Sequence, residues 1–384
     1  MVGHQFQVPT EGQAKAEALG RLPDLDILTL APDRYREAEK RWRFAVVPDT
    51  QNFSFGIERV RLPWSGPAKW YLQWYPEVER TVRRFKPDII DLWEEPWGLL
   101  SFQFCAIRDR VCPQAVLISE TEQNINRILP PPFEWFRRRT FECADFVIGR
   151  SAEAIEVARK KGYSGPAQVV GNGVDLDLFQ PCLSEDTRSR FGMHGFAVGY
   201  AGRLVLEKGV MDLVEAVDGL PGDTSLWICG TGPLKSQLER VSSRVHVLES
   251  IPRAVLAQFF SALDVLVLPS RTTPTWMEQF GRVLIEAQAC GTPVIASRSG
   301  SMPGVLSDSA LLFEEGSIEE LRSAILRLRG DSNLRATLSR RGRARVESFY
   351  SWGAIAQQMR GIYQECLMRT VDPSGGNQRE AAQS

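Results

Sequence analysis

No stretch of this chain reaches the roughly 18 apolar residues that a membrane-spanning helix needs, so no transmembrane helix is predicted. An excess of either charge is missing too. Lys and Arg total 46 against 47 Asp and Glu, a formal net charge of -1, so no overall field draws in nucleic acid or an acidic polymer. Histidine is scarce: His4, His194 and His246 are the full set, and none has a second ligand at helical spacing. No metal site is expected from them. The seven cysteines (105, 112, 143, 182, 229, 290, 366) are odd in number and form no Cys-x-x-Cys pair. They read as small buried hydrophobes in a reducing compartment.

Several catalytic signatures are also absent: Gly-x-Gly-x-x-Gly, the Walker Gly-x-x-x-x-Gly-Lys-[Ser/Thr], Gly-x-Ser-x-Gly and His-Glu-x-x-His. Dinucleotide dehydrogenases, P-loop kinases, serine hydrolases and zinc proteases are demoted accordingly. The opening Met1-Val-Gly-His-Gln-Phe6 is no signal peptide, which makes the cytoplasm the default location. It is short for the first strand of a Rossmann-type domain, and a missing or misassigned start is expected.

What is present is an alternation of strand-like runs and helical patterns, the mark of parallel α/β sheets, over a length that suits two domains. In the first half, strands are predicted at Asp26–Leu30, Phe44–Val47, Glu58–Leu62, Asp88–Trp93, Ala115–Ser119 and Phe146–Gly149. Helices are predicted at Lys69–Phe85 and Glu134–Cys143. A turn-rich segment from Gly171-Asn-Gly-Val-Asp175 to Pro181 marks the boundary, so residues 1–172 form one domain and 173–350 a second. The second half carries strands at Ala197–Gly202, Ser225–Cys229, Val245–Leu248, Val265–Leu268, Val294–Ala296 and Leu311–Phe313. Val210, Leu213, Val214 and Val217 have the i, i+3, i+4, i+7 spacing of one helix face. Ser317-Ile-Glu-Glu320 reads as a capping box. A last helix spans 351–369, and the polar 370–384 tail reads as disordered.

Two glutamates bracket the most informative stretch. Glu278 follows the strand Val265–Leu268 and the polar loop Arg271–Met277; Glu286 lies inside the apolar helix candidate that starts after Gly281. The first N–H groups of a helix lack intrahelical partners, so Phe280, Gly281 and Arg282 form a ready anion site. Glu286, among Leu284, Ile285 and Ala287, is costly to bury unless something hydrogen-bonds it. Arg203 and Lys208, in Gly202-Arg-Leu-Val-Leu-Glu-Lys-Gly209, stand near another helix start, where an anion would offset the unfavourable dipole. The two helix starts could clamp a diphosphate from two sides. Gly230-Thr-Gly232-Pro233 permits close approach to a base or ribose, though a plain tight turn fits it equally.

In the first half, Glu94-Glu95 and Glu120-Thr-Glu-Gln123-Asn124 each follow a strand, where open α/β sheets bind ligands, and His4 ends a strand candidate. These are candidates for contacts to a hydroxyl-rich substrate, with loop solvation and capping as the alternative. Asp24-Leu-Asp26 and Asp175-Leu-Asp177 mimic metal ligands but read as structural. The aromatic-basic stretches Trp70–Tyr75 and Phe133–Arg139 read first as helices with aromatics inward and arginines outward, and second as a membrane-docking surface.

One ordered set of motifs goes further. Gly171-Asn-Gly-Val-Asp175…Phe179-x-Pro181, Gly202-Arg…Glu-Lys-Gly209, Gly230-x-Gly-Pro233, Pro269-Ser270…Glu278-x-Phe-Gly-x-x-x-x-Glu286-Ala and Gly291-x-Pro-Val294 resemble the retaining glycosyltransferases of the GT-B fold, group 1 or family-4 type. The resemblance is tight over the second half and loose over the first. It implies two Rossmann-like doubly wound parallel-sheet domains facing a central cleft, with the C-terminal helix crossing back to the N-terminal domain. It implies a nucleotide-sugar donor, UDP- or GDP-linked, on the C-terminal domain, and a saccharide or lipid-linked acceptor on the N-terminal one. Arg203 and Lys208 would hold the diphosphate, Phe280–Arg282 the sugar and phosphate, Glu278 the sugar hydroxyls and Glu286 the ribose. Backbone around Gly230–Pro233 and Glu249–Ile251 would select the base. No cofactor or obligatory metal is implied, since the two cations would neutralise the leaving diphosphate. A lipid-linked acceptor would add peripheral contact with the inner face of a membrane.

Two departures from the family pattern fall on the acceptor side. Gln5-Phe-Gln-Val-Pro9 stands where family members often have a Gly-Gly loop. Glu120–Asn124 holds no histidine where many have one. An epimerase or phosphorylase on the same fold, or an inactive nucleotide-sugar-binding partner, are the competing expectations.

Overall fold

The computed structural model describes residues 1–32, 34–36, 42–44, 54–58, 70–182 and 185–371. The chain divides into two compact units, Met1–Val170 with Ile355–Ser384, and Gly171–Ala354. The division falls inside the helix Trp352–Val371.

In the first unit, Leu28–Pro32 (β1) pairs in parallel with Ser54–Glu58 (β4), and Arg34–Arg36 (β2) with Trp42–Phe44 (β3) makes a small antiparallel ribbon. Ile89–Leu92 (β5), Val116–Thr121 (β6), Phe146–Gly149 (β7) and Ala167–Val169 (β8) form a four-stranded parallel sheet in that order. Val2 joins the two pieces, bridging Leu30 on one side and Leu92 on the other. Its N–H donates to the Asp91 carbonyl at 2.8 Å, and the Trp93 N–H donates back to its carbonyl at 2.9 Å. Met1–Gly3 therefore occupies the central strand position, and His4 starts a 3-10 turn, His4–Gln7.

The second unit is one six-stranded parallel sheet: Phe196–Ala201 (β9), Thr224–Cys229 (β10), Val245–Leu248 (β11), Val265–Leu268 (β12), Val294–Ser297 (β13) and Leu311–Phe313 (β14). The order is β11-β10-β9-β12-β13-β14. Counted within the unit this is 3-2-1-4-5-6, the doubly wound dinucleotide-type order, with its switch point between β9 and β12. Every residue of β9, β12 and β13 is buried, as parallel strands covered on both faces must be.

Several local expectations need correction. The Lys69–Phe85 helix is replaced over its described part by a 3-10 turn, Trp70–Leu72, and a helix, Val78–Phe85. Pro76 disfavours helical geometry at Tyr75 and separates them. The capping box at Ser317 is half formed. Its hydroxyl accepts from the Glu320 N–H at 3.3 Å, but the Glu320 carboxylate turns to the Glu314 N–H at 2.9 Å. In Phe133–Cys143 the inward and outward roles partly exchange. Arg137 is 2% exposed and pairs with Glu134, while Trp135 is 51% exposed. The strand predictions over 45–47 and 59–62, the start of the Lys69 helix and the tail from 372 lie outside the described residues.

Candidate active site

The two loops that leave the switch point carry Arg203, Lys208 and Glu278. After β9, Gly202 donates its N–H to the Cys229 carbonyl at 3.0 Å, and Leu204 donates to the Thr231 carbonyl at 2.8 Å. The Gly230–Pro233 turn lies directly against this loop. A Cβ on Gly230 would stand 1.9 Å from the Gly202 carbonyl oxygen, and one on Gly232 2.4 Å from that of Leu204. Backbone packing thus requires both glycines, whatever ligand they also meet. Pro233 is exposed and Ile251 half-buried against the unit's core. Arg203 projects with its side chain 62% exposed, 3.9 Å from Glu207. A 3-10 turn, Leu206–Lys208, then aims Lys208 before Gly209 (φ 64°) starts the helix Val210–Asp218.

After β12, the loop is pinned at its base. The Arg271 N–H donates to the Glu207 carbonyl at 2.8 Å, and its guanidinium forks onto Asp212 at 2.5 and 2.6 Å. Glu278 is 7% exposed, and its Oε2 accepts from Lys208 Nζ at 2.5 Å and from the buried Ser270 hydroxyl at 2.9 Å. The Trp276 ring lies 4.9 Å from the same ammonium. Phe280 is buried, edge-on to Tyr350 with centroids 5.5 Å apart, so its side chain anchors the loop and its backbone leads into Gly281. Gly281, at φ 74°, is the N-cap of Arg282–Ala289.

Glu286, 4% exposed on that helix, meets Arg253 at 2.9 Å and Arg282 at 3.9 Å. Arg253 in turn lies over the Phe179 ring at 5.0 Å. Sequence reasoning missed Arg253, Ser270 and Trp276 as site residues. Ser270 sits in the quoted Pro269-Ser270 pair and Trp276 two positions before Glu278, so proximity could have flagged both. Arg253 lies two positions after Ile251, but its partner Glu286 is 33 residues away and no spacing links the two.

The first unit gathers its candidates at the carboxyl ends of its strands. His4 Nδ1 lies 2.6 Å from Glu94 Oε1, which also accepts the His4 backbone N–H at 2.6 Å. Burial alone would lower the imidazole pKa, and the Glu94 carboxylate overrides it and raises it. Glu95 points elsewhere, accepting from Thr121 Oγ1 at 2.8 Å and the Glu122 N–H at 2.7 Å, with burial pushing its pKa up to about 7. Glu120 is 1% exposed and bonded to both Lys15 and Arg150. Burial works against its charge, but Arg150 and Lys15 outweigh it and hold its pKa down at about 2. Its place is a buried ion network beneath the loop, in which both cations also lie 4.5 Å from the Trp93 ring. Gln123 folds back on the Ile125 carbonyl at 3.3 Å, and Asn124 is buried. The Asp-x-Asp pairs have structural partners: Asp24 meets Arg360 at 2.8 Å, and Asp175 caps the N–H groups of Asp177 and Leu178.

Similarity to known proteins follows the same division. The family described as "Glycosyl transferases group 1" matches residues 187–345, and "Glycosyltransferase Family 4" matches 16–178. The chain belongs to the group 1 glycosyltransferase family. Arg203, Lys208, Glu278 and Glu286 all fall in the group 1 match. One relative of this group 1 chain is a GDP-mannose-dependent monoacylated alpha-(1-6)-phosphatidylinositol monomannoside mannosyltransferase of Corynebacterium glutamicum. It is 33% identical over 50% of this chain and 55% of the relative. A D-inositol 3-phosphate glycosyltransferase of Saccharomonospora viridis is 30% identical over 59% of this chain and 56% of its own length. The chain thus spans little more than half the length of these two relatives. Among solved structures, a sucrose-phosphate synthase from Thermosynechococcus elongatus aligns over 96% of this chain and 98% of that one, with TM-score 0.71 and 22% identity. Anabaena HepE, solved in complex with UDP-glucose, aligns over 95% and 96%, with TM-score 0.63 and 18% identity. Both likenesses establish a shared GT-B fold.

Proposed function

We propose that this protein is a retaining glycosyltransferase that moves a hexose-type sugar from a UDP- or GDP-sugar to a saccharide or lipid-linked acceptor. The observation that carries the reading is the meeting of Lys208 and Glu278 at the β9/β12 switch point, the position where doubly wound sheets bind nucleotides. The two residues come from different loops, 70 positions apart.

In this reading the helix start at Gly281–Arg282 and the Arg203 and Lys208 cations receive the diphosphate. Glu278 takes the sugar hydroxyls, and Glu286, held by Arg253, takes the ribose. The bond from the anomeric carbon to the diphosphate oxygen breaks as the acceptor hydroxyl oxygen attacks from the same face. The hydroxyl proton passes to the leaving phosphate oxygen, so no protein nucleophile is used. Negative charge grows on the diphosphate, and Lys208 and Arg203 stabilise it there without a required metal ion. His4, Glu94 and Glu95 are the acceptor-side candidates, and base selection falls to the backbone of Gly230–Pro233 and near Ile251. The name of the Corynebacterium relative, which acts on a phosphatidylinositol mannoside, favours a lipid-linked acceptor and peripheral contact with a membrane. Among the described residues no helix is long and apolar enough to cross one.

Incubating the full chain with UDP- and GDP-sugars and a panel of saccharide and lipid-linked acceptors tests the reading. The expected outcome is acceptor-dependent release of nucleoside diphosphate and a product that keeps the donor's anomeric configuration. Inverted product would remove the mechanism. Conversion of donor without acceptor would instead point to an epimerase.

A further inference from the structure

The Trp276 ring lies against the ammonium of the Lys208–Glu278 pair, and its placement is over-determined. Thr273 and Trp276 close the loop tip on each other, with Thr273 N–H to Trp276 O at 2.7 Å and Trp276 N–H to Thr273 O at 3.3 Å. The Thr273 hydroxyl also accepts the Thr275 N–H at 3.3 Å. The loop base is tied to the Lys208 turn through Arg271, by its backbone bond to Glu207 and its fork onto Asp212. Thr272 adds a second tie, to Glu315 at 2.6 Å. Lys208 and Trp276 are therefore fixed to one another by a common frame. The indole is half-buried, so it is not core filling.

We propose that Trp276 is a positioning residue for the donor diphosphate, acting through Lys208. The proposal rests on the donor-site reading above. A lysine ammonium carries three N–H donors on a flexible stem, and one of them points at Glu278 Oε2. The indole face, 4.9 Å from Nζ, attracts the charge without consuming a donor. It keeps the ammonium from swinging into solvent when a diphosphate draws it partly away from Glu278. A phosphate oxygen then meets a cation already in place.

Binding of UDP, GDP and the matching nucleosides to the full chain tests this in wild type, Trp276→Ala, Trp276→Phe, Lys208→Ala and the Trp276→Ala/Lys208→Ala double variant. Trp276→Ala is expected to weaken diphosphate binding roughly 2- to 30-fold, the span of a cation–π contact, and to leave nucleoside binding unchanged. Trp276→Phe should recover most of the loss, and Trp276→Ala should have no further effect once Lys208 is Ala. A purely structural role would weaken nucleoside and diphosphate alike, persist without Lys208, and overturn the proposal. Wild-type affinity in Trp276→Ala would overturn it while leaving the donor site standing. If folded wild-type protein binds no nucleoside diphosphate, the donor reading and this proposal both fall.

Discussion

Glu278 and Glu286 look alike in the sequence, eight residues apart around a helix start, yet each is held by different cations. Glu278 shares Oε2 between Lys208 and Ser270, and Glu286 is gripped by Arg253 from another helix. The side chains of Lys208 and Glu278 are 14% and 9% exposed, so removing one partner strands a mostly desolvated charge. Lys208→Met should destabilise the second unit by about 2 kcal/mol, less than a fully buried pair because both groups retain some solvent. Lys208→Met/Glu278→Gln should cost less than the sum of the single changes by about 1 kcal/mol or more, read from urea melts as a double-mutant cycle. Additive losses would mean the pair is not coupled.

What the sequence disclosed at this scale depended on how far a partner lies along the chain. Glu278 and Lys208 were found because each sits beside a strand end and a glycine. Arg253 was not, because its contact to Glu286 spans 33 residues and follows from how two helices pack, which no local spacing records. Glu120 looked like a loop acid, and only the fold shows Lys15 and Arg150 converging on it from 105 and 30 positions away.

At the scale of elements, the buried parallel strands were the most legible. Phe146–Gly149 and Val265–Leu268 coincide with their predicted bounds, because buried parallel strands are unbroken apolar runs between turn signals. The central strand of the first unit was not legible, since a single residue, Val2, does the bridging. The junctions between strands and helices depend on backbone that only glycine supplies. Gly209 has φ 64°, and a Cβ there would lie 1.9 Å from the Pro269 carbonyl oxygen, so the β9 and β12 loops touch through it. Gly209→Ala should cost about 2 kcal/mol or more in thermal or urea melts and weaken diphosphate binding by displacing Lys208. Gly361→Ala, where a Cβ meets nothing within 4 Å on the last helix, should stabilise by about 0.5–1 kcal/mol. Equal effects of the two would contradict the packing account.

At the scale of the whole molecule, the chain carries two parallel-sheet units with different chemistry. The second unit offers cations, a helix start and two engaged carboxylates, the demands of a nucleoside diphosphate. The first offers His4, Glu94 and Glu95 over a buried ion network, into which Tyr363 of the last helix donates through Asp91 at 2.6 Å. Burial and the neighbouring Glu120 charge push Asp91 up to about 7. The family assignment fits this division, with its two matches falling on the two halves.

The proposed donor site of the second unit depends on Lys208. Calorimetric melting of the full chain with UDP or GDP tests it most directly, because a ligand that binds only the folded state raises its stability by about 2.7 kcal/mol at 100 times Kd. Such a rise is expected for at least one of the two diphosphates and is lost in Lys208→Ala. A melt indifferent to both diphosphates, or a Lys208→Ala variant that rises as much as wild type, would contradict it.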